Sequence, residues 1–445
     1  MQNDAPTTLR PHSLLEREAR LRRANLAAAA PADRAATQPV HTVYGGAHLF
    51  SAGTAGRLGA LALRAMDEHA PDAATLAAAL GCPEAVWDRV RDKLRREPVE
   101  DFRIDFEDGY GVRSDAEEDG HAHAAAAEVA RGMAAATLPP RIGIRVKALT
   151  EETRVRAART LDLFVTTLVE ITGGRLPPGF VVTLPKVSIP EQPEFLADAF
   201  AVLESALGLE RGALRMEVMV ETPLALVDGA GRWGLPAIAR AGPTDAAHFG
   251  AYDYTAALGI TAAHQHLRHP ACDWARSAMQ ASLAGSGVWL SDGATVTLPV
   301  GPHRAAEGAP LTPDEQAANR AAVHAGWRIH HDDVRHSLAS GFFAGWDLHP
   351  AQLVSRYAAV YGFYLESLDA AAERLRNFVD RAARATRVGG AFDDAATGQG
   401  LLNFFIRAVA CGAVPEAEAL ARTGLTAVEL RERSFVSIAE ARRDR

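Results

Sequence analysis

From about residue 40 the chain alternates between two hydrophobic rhythms. Short apolar runs of strand length are followed by longer stretches in which apolar residues recur every three or four positions. Eight runs read as strands: 41–44, 102–106, 142–146, 181–184, 216–220, 247–249, 287–290 and 342–348. Several are almost continuously apolar, as expected of parallel strands buried on both faces. Between them, Leu161, Phe164, Leu168 and Ile171 are spaced 3, 4 and 3 apart, and Leu196, Phe200, Leu203 and Leu207 are spaced 4, 3 and 4 apart. Each set places one apolar stripe of a helix against a sheet. Thr312-Pro313-Asp314-Glu315 has the form of a capping box with proline at the first helical position, and predicts a helix start.

Eight strands alternating with helices predict an α/β fold, a (β/α)8 TIM barrel. The rival is an open doubly wound sheet, and the lack of a G-x-G-x-x-G after the first strand weakens its dinucleotide-binding form. The barrel is expected over residues 39–368. An Ala/Arg-rich extension, helix then linker, precedes it over 1–38, and a helical extension follows over 369–445, broken by a Gly/Asp-rich loop at 388–400. No internal repeat is visible.

Composition narrows the function classes. With 445 residues, 48% of them hydrophobic, the chain can build a large core. A net charge of −8 gives no basic footprint for nucleic acid. No apolar run reaches the roughly 20 residues needed to span a bilayer, and the N-terminal residues lack a signal-peptide core, so a cytoplasmic location is expected. Cys82, Cys272 and Cys411 are isolated and read as buried thiols, not as a zinc site or disulfide framework. The histidines at 264, 266, 330, 331 and 336 read as surface residues. Lysine is nearly absent: only Lys93, Lys147 and Lys186 occur. Lys147 and Lys186 lie at predicted strands, and arginine does not substitute for a compact ammonium.

Barrel enzymes carry their chemistry at the C-terminal ends of the strands. There the chain places Asp105, Glu107 and Asp108 after strand two, Arg145 and Lys147 at strand three, and Lys186 after strand four. Glu221 follows strand five, Gly250-Ala251-Tyr252-Asp253 follow strand six, and His349 follows strand eight. A carboxylate-rich rim without cysteine suits a hard divalent ion, Mg²⁺ or Mn²⁺. Glu221 and Asp253, from adjacent strands, are the candidate ligands. Arg145 is the candidate clamp for a substrate carboxylate. Together they suggest a 2-oxo acid whose carbonyl the metal polarises. Structural readings compete at each position. Asp105 and Asp108 would serve as helix caps, Glu221 and Arg145 as ion-pair partners, and Asp253 as a turn residue.

The same positions, in order over residues 100–355, resemble the HpcH/HpaI aldolase and citrate-lyase-β family of the phosphoenolpyruvate/pyruvate barrels. Asp105-Phe106-Glu107-Asp108 is similar to that family's Leu-Glu-Asp motif and to the Asp-Phe-Glu-Asp of malate synthases. Ile144-Arg145-Val146-Lys147, Leu184-Pro185-Lys186-Val187, Val220-Glu221-Thr222 and Phe249-Gly250-Ala251-Tyr252-Asp253 match further landmarks, as do Arg276-Ser277 and Leu348-His349-Pro350. Segments 45–99 and 295–335 are longer than the family's, and Gly345-Trp346 replaces its Gly-Lys-Trp, which marks a divergent branch.

The resemblance implies a Mg²⁺-dependent carbon–carbon lyase that works through a metal-stabilised enolate, next to a 2-oxo acid or an acyl-CoA. Glu221 and Asp253 would bind the metal, and Glu107 and Asp108 would orient its waters. Arg145 would grip substrate, with help from the backbone of Gly250, Ala251 and Tyr252. Lys147 and Lys186 would give electrostatic support. A homo-oligomer is expected. Asp393, Asp394 and His349 are candidates for the acid/base. Two alternatives stay open: a Schiff-base aldolase using Lys147 or Lys186, and a non-catalytic metal-binding member of the fold.

Overall fold

A computed structural model describes residues 17, 19–22, 38–305, 310–387 and 395–443. Eight strands form a closed, all-parallel barrel in sequence order: β1 (Thr42–Gly46), β2 (Asp101–Asp105), β3 (Arg141–Arg145), β4 (Val181–Leu184), β5 (Met216–Val220), β6 (Thr244–Phe249), β7 (Trp289–Ala294) and β8 (Ala344–Asp347). β1 pairs with β8 and closes the ring. The fold is thus the expected (β/α)8 barrel, with every predicted strand present. β4 and β5 have the predicted bounds, and β7 is displaced most. It runs through Ser291-Asp292-Gly293, which strand propensity disfavours. Asp292 is tolerated there because Arg276 holds its carboxylate at 3.0 Å and Ser337 donates to it at 2.5 Å.

The helices bear out the 3.6-residue pattern with one correction. On the helix Arg154–Thr172, Leu161, Phe164 and Leu168 are buried, but Ile171 is exposed at its last turn, beyond the contact face. Thr312 caps the helix Pro313–Ala339 in a full capping box with Glu315. The long segment between β1 and β2 folds as a one-turn 3-10 helix, Ala47–Leu49, and three α-helices, Thr54–His69, Ala73–Leu80 and Val86–Arg96. After β8 the helix Gln352–Leu365 covers the barrel, and five more follow between Leu368 and Arg443 among the described residues. Of the predicted break at 388–400, residues 388–394 lie outside the described residues and 395–400 are helical. The helix Ala395–Ala410 already includes Gly398, where a Cβ would meet the Phe435 ring at 2.6 Å. That glycine makes room for a neighbouring helix and does not mark a loop. Cys82, Cys272 and Cys411 are buried free thiols.

Inside the barrel the side chains are unexpectedly polar. β2 reads Asp-Phe-Arg-Ile-Asp, an alternation that normally marks one wet face, yet all five residues are buried. Phe102 and Ile104 belong to the main apolar core, while Asp101, Arg103 and Asp105 are charged and buried. Ala246, Trp289 and Ala344 form a small separate apolar cluster from β6, β7 and β8. Arg103 occupies the interior, bonded to Asp101 at 2.5 and 3.0 Å and to Glu217 at 2.6 and 3.0 Å. His248 stands 3.3 Å from Glu217 through Nε2 and accepts the Trp346 indole N–H on Nδ1 at 3.1 Å. Since indole only donates, Nε2 carries the imidazole proton, 3.3 Å from Glu217 but without hydrogen-bond geometry to it.

The histidine reading needs correction at two positions. His330 and His331 are buried, not on the surface. His330 bridges Asp347 at 3.0 Å and Ser355 at 2.8 Å. Its helix carries both through the core, a placement that adjacency in sequence does not reveal. His264 and His266 are exposed, as expected.

Candidate active site

The ends of β2 to β6 bring one cluster of charged groups together. Asp105 and Arg145 are register partners on β2 and β3. Asp105 takes the Nε and Nη2 donors of Arg145 at 2.7 and 2.6 Å, a bidentate pair buried from solvent. The same carboxylate accepts the backbone N–H of Glu107 at 2.9 Å and of Gly109 at 2.7 Å. Asp105 therefore shapes the loop that carries Glu107 and Asp108. It caps no helix; the helix that follows is capped by Ser114. A Cβ at Gly109 would meet Asp105 Oδ2 at 2.6 Å, so this turn needs a residue without a side chain.

Arg145 is consequently both a structural partner and a candidate substrate clamp. One edge of its guanidinium is occupied. Nη1 remains on the other side, 3.2 Å from Glu107 and 3.7 Å from Asp108. Tyr44 from β1 lies under the guanidinium, 4.8 Å from ring centre to Cζ, and adds a cation–π contact.

Lys186 gathers the two loop carboxylates. Its ammonium contacts Glu107, and Asp108 lies 3.2 Å away. Burial pulls the Lys186 pKa down, but the bond to Glu107 and nearby acids outweigh it, and the net shift is upward. Glu107 is pushed up, mainly by burial, while Asp108 is drawn down because Glu107, Arg145 and Lys186 together outweigh its burial. Lys186 also adopts a left-handed backbone, φ +52°. That conformation is costly for a residue with a Cβ, and it accompanies an N–H···O bond of 2.8 Å from Lys186 to Glu221 Oε2.

Lys147 is held differently. Its ammonium donates to the Phe106 carbonyl at 2.7 Å and pairs at 2.7 Å with the buried Glu118 of the helix Asp115–Ala135. These contacts tie the segment after β3 to that helix.

Glu221 is buried just past β5, and Asp253 is exposed in the first turn of the helix Ala251–Ala257. Burial pushes the Glu221 carboxyl up to about 7, and the Asp253 charge adds to the rise, against Arg145 and Lys186. Gly250 is required here. A Cβ on it would meet Glu221 Cγ at 2.3 Å. The Gly250 N–H is already bonded to the Val220 carbonyl at 3.0 Å, and the Tyr252 hydroxyl accepts the Val296 N–H at 3.3 Å. Of that tripeptide, the Gly250 N–H is therefore not free to meet a ligand.

These residues fit a hard divalent ion. Two carboxylates face each other electrostatically, one is buried with its ionisation suppressed, and a glycine cradle leaves its side chain room. Among the described residues no three His, Cys, Asp or Glu side chains converge to hold an ion. A Glu221–Asp253 pair would leave most positions to water and substrate, the usual habit of Mg²⁺.

Sequence reasoning missed Asp105 as the anchor of Arg145 and Tyr44 as its floor. Asp105 stands in the same motif as Glu107. Tyr44 alternates with Thr42 and Gly46 on β1, a period-two clue to its inward side. His349 follows β8, accepts the Ala351 N–H on Nδ1 at 3.2 Å, and has its pKa lowered by burial. Asp393 and Asp394 lie outside the described residues.

A comparison with curated proteins finds no match. Among solved structures the chain is similar to a citrate lyase from Burkholderia xenovorans LB400, with 16% identity and a TM-score of 0.53 over 87% of this chain and 97% of that one. It is also similar to Haloferax volcanii malate synthase in a magnesium/glyoxylate complex, with 17% identity and a TM-score of 0.44 over 91% and 98%. Mycobacterium tuberculosis CitE, in complex with magnesium and acetoacetate, gives 17% identity and a TM-score of 0.40 over 74% and 92%. At such identities likeness speaks to fold alone, and only the first score is high enough to do so. The sequence model of one family, described as a domain of unknown function, DUF6986, matches residues 20–438, and the chain belongs to that family.

Proposed function

We propose that the protein is a Mg²⁺-dependent carbon–carbon lyase, or the corresponding synthase, acting next to the carbonyl of a 2-oxo acid. The observation that carries this reading is Glu221: a buried carboxyl raised to about 7, beside a second carboxylate, at the mouth of a barrel. Perturbed groups of this kind cluster at functional sites. Glu221 and Asp253 hold the ion, with Mn²⁺ as the substitute, and when bound it polarises the substrate carbonyl. Arg145, fixed by Asp105 and Tyr44, directs Nη1 to the substrate carboxylate. Glu107 and Asp108 position water beside the metal pair, and Lys186 balances their charge. Lys147 supports the mouth from the helix side. The Burkholderia protein's name makes citrate-lyase-type cleavage and condensation the first reactions to test.

The Schiff-base alternative asks for a lysine that is neutral near pH 7. Lys186 is shifted the other way, and Lys147 is engaged by Glu118. The non-catalytic reading predicts metal binding without turnover. The test is a panel of pyruvate, oxaloacetate and glyoxylate, with and without an acyl-CoA partner, assayed before and after EDTA. Turnover that disappears with EDTA and returns with Mg²⁺ is expected, together with an unchanged protein mass after substrate and borohydride. Full activity in the metal-stripped enzyme, or a trapped lysine adduct, overturns the proposal.

A further inference from the structure

A cavity of about 260 Å³ lies beside β1, bounded by the helices Thr54–His69 and Gln352–Leu365. Its walls are apolar: Val43, Phe50, Leu58, Phe102 and Leu353. Leu61, His349 and Pro350 line it and also line a second cavity of about 390 Å³, so the two adjoin. The second has a polar wall in which Arg64, His303 and Arg304 stand with one carboxylate, Glu68. Arg57, Leu61 and Arg64 follow one another at intervals of 4 and 3 on one face of the Thr54–His69 helix.

Arg57 is held in place without being neutralised. Its Nη1 donates to Ser51 Oγ at 2.7 Å and its Nη2 to Thr54 Oγ1 at 3.0 Å. Among the described residues neither Arg57 nor Arg64 forms an ion pair, whereas other exposed arginines, such as Arg154 and Arg159, have a carboxylate partner. The lip of the apolar cavity leaves Leu49 and Leu348 exposed at 69% and 43%. An apolar slot with uncovered leucines at its edge and a preset, unpaired guanidinium beside it is a site with two chemistries. Of the residues that line these cavities, the metal-centred reading uses only Tyr44, the floor beneath Arg145; Arg57, Leu61 and Arg64 take no part in it.

We propose that this cleft binds an amphiphilic small anion. An aliphatic or aromatic body fills the apolar cavity, and a carboxylate or phosphate end group meets Arg57 and Arg64. The fork of an arginine suits either end group, and chain burial supplies the remaining attraction. The inference is independent of whether Glu221 and Asp253 hold metal.

The test is calorimetric titration of the full chain with octanoate, octyl phosphate, 1-octanol and inorganic phosphate, each below its aggregation limit. At least one octyl anion is expected to bind ten-fold or more tightly than both octanol and phosphate. The better octyl anion identifies the end group. The double variant Arg57→Gln/Arg64→Gln should reduce that binding to the octanol level. Leu61→Trp, which narrows the slot from its exposed edge, should weaken it ten-fold or more. Circular dichroism and Mg²⁺ binding should be unchanged in both variants. The proposal is overturned if neither octyl anion exceeds octanol and phosphate, or if both variants bind the octyl anion as tightly as the unmodified chain.

Discussion

Glu217 and Glu221 are the same residue type, four positions apart at β5, and both are buried. Their electrostatics are opposite. Glu217 is contacted by Arg103 through two nitrogens, by the Thr183 hydroxyl at 3.0 Å and by His248. Burial raises its pKa, but Arg103 and His248 outweigh that and hold it well below the usual carboxylate range. Glu221 accepts one backbone N–H, feels Arg145 and Lys186 without forming an ion pair to either, and is repelled by Asp253. A buried carboxylate saturated with cations belongs to the scaffold. One left short of positive charge at a barrel mouth is a place for a ligand that brings it.

The strongest way to break the comparison is at its saturated end. Arg103→Met strands Asp101 and Glu217 in the interior, and a loss of about 3–5 kcal/mol is expected in urea denaturation. A loss below about 1 kcal/mol would show that the interior network is not the structural member of the pair. Next comes a crossed test. Glu217→Gln should destabilise the protein, whereas Glu221→Gln should stabilise the metal-free protein at pH 8. A rise from 4.5 to about 7 corresponds to on the order of 3 kcal/mol, the upper bound for that gain. Glu221→Gln should also abolish the rise in Tm that Mg²⁺ produces in the unmodified chain. The same sign for both variants would remove the distinction.

A smaller effect sharpens the sign. A carboxyl raised in the folded state makes the native protein the stronger proton binder between about 4.5 and 7. Its contribution is therefore fully present below the unfolded value and is lost as pH rises through about 7. Metal-free protein should lose stability relative to Glu221→Gln across that window, and saturating Mg²⁺ should flatten the difference. The smallest effects concern the lysines. Lys147→Met should cost about 1–2 kcal/mol, because Glu118 loses one partner but keeps Thr160 at 2.6 Å and Arg156 at 3.4 Å. Lys186→Met should lower turnover without abolishing it. Complete loss on Lys186→Met with Mg²⁺ binding intact would make Lys186 more than an electrostatic support.

Much of this architecture is legible in the sequence alone. Strand–helix alternation suffices for the barrel because buried parallel strands and amphipathic helices write different periods into the chain. The rim residues were legible too, since a barrel places the residues after its strands at one end. What stayed hidden depends on contacts between residues far apart in sequence. β7 was misplaced because the partners that let Asp292 be buried, Arg276 and Ser337, lie 16 and 45 residues away. His330 was misread because its partner Asp347 sits on another element.

The amino-acid order by itself determined the barrel and the placing of Glu107, Asp108, Arg145, Lys186, Glu221 and Asp253 at its rim, because these follow from local periodicity and from position at or after a strand. Only the tertiary structure decided what each charge does. Asp105 takes one edge of Arg145, Glu118 takes Lys147, Arg103 takes Glu217, and Glu221 is left with a single backbone donor. The physical reason is that the state of a buried charge is set by the charges and donors within a few ångströms, and barrel closure brings those together from strands far apart in the chain.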